Sequence, residues 1–182
     1  MSSAIDNLMH EHRLIERVLD ALERFASETR PAGEDDRAVI GRFVEFFRTF
    51  SDRCHHGKEE DLLFAELRRY GLPAGQGPIA VMLEEHDVGR ELVGRLSAMG
   101  SGDGPLTGDE REQLGIVAAD YAMLLRLHIQ KEDQILYPMA LNVLPVEALD
   151  DLARRFERFE REEMGDGVHE RMHALADTLY EC

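Results

Sequence analysis

Apolar residues recur at three- and four-residue spacing along the chain, and no run alternates β-branched with polar residues as a half-buried strand would. The pattern predicts an all-α protein. Leu8, His12, Ile15, Leu19 and Leu22 form the stripe of a first helix, capped at Ser3 and ending near Thr29, before the break Arg30-Pro-Ala-Gly. A second helix is expected from Glu34 or Asp35 to Tyr70-Gly71, with Phe43, Phe47, Phe50 and Leu62 turned inward. The glycines and prolines of residues 72–78 force a turn, and Pro78 opens a third helix with Ile79, Met82, Leu83, His86, Val93 and Leu96 on its inner face. After the loop 100–108, a fourth helix is expected from about Asp109 to Asn142, with Leu114, Val117, Tyr121, Leu124, His128 and Ile135 on one side.

Four long helices joined by short connections predict an antiparallel up-down-up-down four-helix bundle over residues 1–144. Two shorter helices, about Val146 to Met164 and Val168 to Tyr180, are separated by Gly165-Asp-Gly167. Their apolar faces are thinner. Residues 145–182 are therefore expected as a helical appendage packed on the same domain.

Within this helical pattern one segment occurs twice. His55-His-Gly-Lys-Glu59-Glu-Asp-Leu-Leu-Phe64 and His128-Ile-Gln-Lys-Glu132-Asp-Gln-Ile-Leu-Tyr137 share the order His-x-x-x-Glu-acid-x-apolar-Leu-aromatic. A His and a Glu four apart are offset by one turn plus about 40°, so they leave the same helix face roughly 6 Å apart, within reach of one metal ion. Each repeat follows a helix with an acid-His pair in its apolar stripe, Glu11-His12 and Glu85-His86. The chain thus reads as a duplicated helical hairpin with six candidate metal ligands: His12, His55, Glu59, His86, His128 and Glu132. Four imidazoles, two bridging carboxylates and a shared oxide or hydroxide would leave two roughly five-coordinate ions with a position free for a small molecule. Imidazole with carboxylate suits iron, manganese or zinc. A simpler reading pairs Glu59 and Glu132 with Lys or Arg on solvated faces, but His12, His86 and His128 sit between apolar residues, where an unpaired polar group costs about 1–3 kcal/mol.

Composition narrows the function. With 182 residues and 43% hydrophobic content, the chain has material for one substantial core. A formal charge of -16 leaves no basic patch for nucleic acid or an anionic membrane. No apolar run is long enough to span a bilayer, and the acidic start lacks the basic flank of a secretion signal, so a cytoplasmic protein is expected. Eight histidines against two cysteines, Cys54 and Cys182, direct metal chemistry to imidazole and carboxylate rather than thiolate.

The ordered set Glu11-His12-x-x-Ile15, His55-x-x-x-Glu59-Glu60 with Leu63-Phe64, Glu85-His86, and His128-x-x-x-Glu132 with Leu136-Tyr137-Pro138 resembles the hemerythrin-like, or HHE cation-binding, domain family over about residues 4–142. The resemblance implies an up-down-up-down bundle and a non-haem di-iron site that interacts reversibly with dioxygen or related small ligands. It also exposes two departures. Oxygen-carrying members resemble a pattern with a second His four residues after the third-helix His, where this chain has Arg90, so one neutral ligand is missing. Those members also place an Asp five residues after the fourth-helix His, which makes Asp133 the alternative to Glu132.

Around these candidates, Tyr121 lies two turns before His128 and is expected either to reach the metal centre or to pack in the core. Phe64, Tyr137, Phe43 and Phe47 are expected as core. His56 is expected as a surface partner of Glu60, and His10, His169 and His173 as surface or hinge residues. Arg90 is expected to neutralise a ligand carboxylate, gate the free position or form a surface salt bridge. Glu11 and Glu85 are expected to accept hydrogen bonds from ligand imidazoles. The function expected is binding or reduction of dioxygen, hydrogen peroxide or nitric oxide, with an unidentified electron donor. An iron- or redox-responsive module signalling through the C-terminal helices is the second reading, and the sequence leaves the oligomeric state open.

Overall fold

The computed structural model describes residues 4–28 and 36–181. The predicted cap at Ser3, the first helix's end and break at 29–33, the start at Glu34 or Asp35, and Cys182 lie outside them. Among the described residues there is no strand, and six helices follow one another: α1 Ala4–Ser27, α2 36–69, α3 Pro78–Gly100, α4 108–143, α5 146–164 and α6 Val168–Tyr180.

Local chemistry sets the helix ends. Pro78 stands in the first turn of α3, where its missing N–H is no loss. Thr107 and Glu110 close a reciprocal capping box that starts α4, each accepting from the other's backbone N–H. Pro138 lies inside α4 without ending it. Its ring crowds the carbonyl four residues back, and the turn that holds that carbonyl, Glu132–Leu136, is widened: Tyr137 N–H donates to Glu132 O, five residues back.

α2 carries the same widening over Phe47–His56 and Glu59–Leu63, where Gly57 N–H reaches Asp52 O and Phe64 N–H reaches Glu59 O. A wider turn rotates less per residue, so the inward face moves on by one position. Leu63 and Leu136 are fully buried, whereas Leu62 is only partly buried and Ile135 is 53% exposed. The inward positions read from a regular helix, Leu62 and Ile135, are thus corrected to their successors in both repeats.

α1 packs on α4, α4 on α3, and α3 on α2; α5 lies against α1 and the 59–63 turn, and α6 against α1 and α2. The apolar interior forms two layers. One holds Ile15, Leu22, Phe43, Phe47, Leu96, Val117 and Tyr121 together with Met172 and Leu179 of α6. The other holds Leu8, Leu63, Phe64, Met82, Leu136 and Tyr137 with Leu152 and Phe156 of α5. Between them lies a buried polar level formed by Glu11, His12, His55, His56, Lys58, Glu59, His86, His128 and Glu132. No helix is long and apolar enough to cross a membrane among the described residues.

Candidate metal centre

The polar slab draws on all four long helices. His12 of α1 sits one turn after Leu8 and one before Ile15, His86 of α3 one turn after Met82, and His128 of α4 beside Ile129. The widened turns of α2 bring His55, His56 and Glu59 to the same level. All seven residues, with Glu132, are at most 5% exposed.

The outward nitrogen of each of four imidazoles is tied to an acid. His12 Nδ1 lies 2.8 Å from Asp133, His55 Nδ1 2.9 Å from Glu11, His86 Nδ1 2.7 Å from Glu60, and His128 Nδ1 3.0 Å from Glu85. The arrangement is cyclic: each helix supplies the acid for the histidine on the next, and α4 returns to α1. A carboxylate only accepts, so each Nδ1 carries a proton, and each ring in its neutral form turns an Nε2 lone pair inward. The expected acceptor roles of Glu11 and Glu85 are seen here, and Asp133 turns away from the centre to serve His12.

Inside, the donors converge. His12 Nε2 lies 3.2 Å and His128 Nε2 3.3 Å from Glu132 Oε2, while Glu59 Oε2 lies 3.7 Å from His55 Nε2 and 3.5 Å from His86 Nε2. His86 Nε2 and His128 Nε2 are 3.1 Å apart. With both Nδ1 protons donated in hydrogen bonds to carboxylates, two neutral rings would bring lone pairs face to face, so one Nε2 must take up a proton unless a cation lies between them. His55 Nε2, Glu59 Oε2 and both oxygens of Glu132 are buried without a hydrogen-bond partner. Orphaned acceptors of this kind are costly unless a cation sits among them. They fit two cation positions sharing Glu59: one among His12, His55, Glu59 and Glu132, the other among His56, Glu59, His86 and His128, each with ligand atoms within 4.8 Å of one another.

Electrostatics follow from the crowding. Burial and the facing Glu132 push Glu59 well above the usual carboxyl range, whereas His128 and His12 overcome burial and hold Glu132 well below it. Burial lowers His55 to about 4 and takes His56 down as well. Burial opposes the charge on His128 too, but Glu132 raises it to about 9. The two facing carboxyls are thus driven apart, Glu59 towards its protonated form and Glu132 towards its charged form.

The chain also matches a known family. The profile of the hemerythrin HHE cation-binding domain covers residues 3–140. The chain belongs to that family. The uncharacterised proteins Rv1995 of Mycobacterium tuberculosis and Mb2018 of Mycobacterium bovis are each 25% identical to this HHE domain protein over 172 residues, 90% of its length. The chain spans 64% of the length of these curated relatives.

Two aromatic and imidazole positions of the HHE domain differ from the sequence reading. His56 is not a surface partner of Glu60. It is buried and stacks on His86 with ring centroids 3.8 Å apart, because the widened turn before Gly57 carries it inward beside His55. It brings a fifth imidazole to the cluster, making up the neutral donor that Arg90 does not supply. Arg90 instead bonds Asp52, Glu60 and Asp87 outside the cluster.

The site tyrosine is also a different one. Tyr121 packs edge-on against Phe47 in the apolar layer, whereas Tyr137, expected only as core, donates to Glu59 Oε1 at 2.7 Å and stacks on His12. The one hydroxyl in the aromatic pair that ends the repeats, Phe64 and Tyr137, was the available signal. His169 and His173 are half-buried against Phe50, and His10 is exposed. Glu11, Glu160 and His169 also approach one another, but Lys58 Nζ lies among these acids, bonded to Glu11, Asn7 and Glu160, and supplies the positive charge.

Proposed function

We propose that this HHE domain, its four long helices running alternately up and down, binds two iron ions and uses them to bind or reduce dioxygen, hydrogen peroxide or nitric oxide. The observation that carries the reading is the convergence of buried imidazole nitrogens and carboxylates, with His86 Nε2 and His128 Nε2 3.1 Å apart and His55 Nε2, Glu59 Oε2 and both Glu132 oxygens left without a hydrogen-bond partner. The residues that would hold the ions are His12, His55, Glu59 and Glu132 on one side, and His56, His86, His128 and Glu59 on the other. A bound iron pair supplies redox electrons and a coordination position for the small ligand.

The protein's own groups shape that chemistry. Asp133, Glu11, Glu60 and Glu85 fix the imidazole tautomers and make each Nε2 a stronger donor. Tyr137 holds a proton at Glu59, and the two apolar layers keep water out. Elemental analysis of anaerobically purified protein, then its visible spectrum with oxygen and azide, tests the proposal. About two irons per chain and an azide-sensitive band are expected, zinc or manganese in their place would redirect the chemistry, and an empty wild-type protein would end the reading. Because Glu59 belongs to both positions, Glu59→Ala is expected to lose both ions, and His56→Ala mainly one.

A redox-responsive module is the second reading. It is favoured by an unbroken polar chain from His55 through Glu11 and Lys58 to Glu160 of α5. Protease sensitivity of residues 145–182 that changes with iron oxidation state would support it; identical cleavage in both states would sink it.

A further inference from the structure

A cavity of about 70 Å³ lies beside His56, walled by Phe47, Val93 and Tyr121, with Gly89 on one side and the charged Arg48, Asp52 and Arg90 also lining it. Its size decides what fits. At about 30 Å³ per water molecule it holds two or three heavy atoms, and pockets for organic substrates begin near ~300 Å³. Outside it, a surface cleft shares Arg48, Asp52 and Arg90 with the cavity. That cleft sets Arg48, Arg53 and Arg90 against Asp52, Glu60, Asp61 and Glu163, so it gives an incoming anion no net attraction. Arg90 is fully engaged: Nε holds Asp52 at 2.8 Å, Nη2 holds Glu60 at 2.6 Å and Nη1 holds Asp87 at 2.9 Å.

We propose that this cavity is the access route to the metal centre for uncharged ligands of two or three heavy atoms, with Arg90 as its gate and Gly89 setting its bore. The inference rests on the metal-centre reading above. The route ends at His56, the imidazole that completes the second cation position. A Cβ on Gly89 would meet Tyr121 Cε2 at 3.7 Å and Leu124 Cδ2 at 4.0 Å, ordinary contacts, so alanine fits while taking space from the passage. Glycine inside a helix is less stable than alanine. Stability and access should therefore move in opposite directions at this one position.

The test uses the full chain. Iron is measured first, then nitric oxide association with the reduced protein by stopped flow. Gly89→Ala should keep its iron, melt no lower than the parent and bind nitric oxide more slowly; Gly89→Leu should slow it at least tenfold; Arg90→Ala should speed it. Association should change little between low and high salt. In metal-free crystals under xenon, density is expected in the cavity of the parent and not of Gly89→Leu, a readout independent of iron. Full iron content with unchanged rates in both Gly89 variants, no xenon in the parent cavity, or a steep salt dependence would overturn the access route alone. Parent protein without iron would overturn the metal-centre reading and the route with it.

Discussion

The two repeats, His55 to Phe64 and His128 to Tyr137, carry the same residue order in different surroundings. In each, the lysine before the glutamate pairs with the acid that supports its own histidine: Lys58 with Glu11 behind His55, Lys131 with Glu85 behind His128. Yet Lys58 is fully buried under α5, also bonded to Glu160 and near the Phe156 ring, while Lys131 is 36% exposed. Where the first repeat has His56 the second has the core residue Ile129, and where the first has Phe64 the second has Tyr137. The repeated segment supplies matching side chains; the C-terminal helices and these two exchanges make the surroundings of the two candidate cation positions unequal.

Removing the paired lysines should expose that inequality most strongly. Lys58→Met leaves Glu11 and Glu160 without their cation in a buried setting and is expected to cost about 3–5 kcal/mol. Lys131→Met removes a half-exposed pair and is expected to cost about 0–1 kcal/mol. Urea unfolding of the metal-free proteins measures both, and equal losses would remove the distinction between the repeats.

The supporting acids should differ next, through pH. Burial alone would raise Glu11, but Lys58 and then His55 hold it at about 2, against an ordinary value of 4.5. A depressed carboxyl stabilises the fold above its unfolded pKa, and that contribution disappears as pH falls through the folded value. The metal-free parent should therefore lose about 3 kcal/mol relative to Glu11→Gln between pH 4.5 and 2. Glu85, lowered by the His128 hydrogen bond and Lys131, should lose stability in the same direction but by no more than about 1 kcal/mol. Parallel curves for the two glutamine variants would contradict the burial argument.

The aromatic exchange gives a smaller contrast. Tyr137→Phe leaves Glu59 Oε1 without its donor and should cost about 1–3 kcal/mol in the metal-free protein. Phe64, whose ring stacks near His86 at 6.2 Å, carries no hydroxyl, so Phe64→Leu should alter only packing and cost less than about 1.5 kcal/mol. A shift in the iron-loaded spectrum is expected from Tyr137→Phe and not from Phe64→Leu.

How far the sequence could be read depends on where the helices stay regular. The apolar period located the helices, and the His-x-x-x-Glu spacing singled out six side chains that the fold brings together, because both follow from 3.6 residues per turn. The misplacements of Leu62, Ile135 and His56 lie in or beside widened turns, where that period fails by one residue. No composition marks these turns in α2; in α4 only Pro138 hints at one. Tyr121 keeps the face of His128 through two regular turns but lies about 10 Å along the axis in the apolar layer, whereas the widened turn 132–136 brings Tyr137 round to Glu59. The cyclic link between acids and histidines was half legible, since Glu11 and Glu85 stood out beside their histidines, but which imidazole each serves depends on helix order in space.

Between His56 and Lys58 stands Gly57, and its counterpart in the second repeat is the exposed Gln130. Helix interiors disfavour glycine, so replacing it with alanine would ordinarily stabilise by about 0.5–1 kcal/mol. Here a Cβ would lie 2.8 Å from Phe159 Cζ and 3.3 Å from its Cε1, closer than packed carbons approach. The ring of α5 rests directly on the α2 backbone, and a methyl group must push it away at about 1–3 kcal/mol. The two effects oppose, and Gly57→Ala is expected to lose about 1 kcal/mol net, while Gln130→Ala changes stability by less than about 0.5 kcal/mol. If Phe159 is the cause, Phe159→Ala should abolish the penalty, so that Gly57→Ala in that background becomes stabilising. A double-mutant cycle by thermal unfolding reads this directly, and a penalty that survives loss of the ring would mean that the first repeat is not held against α5 by this contact.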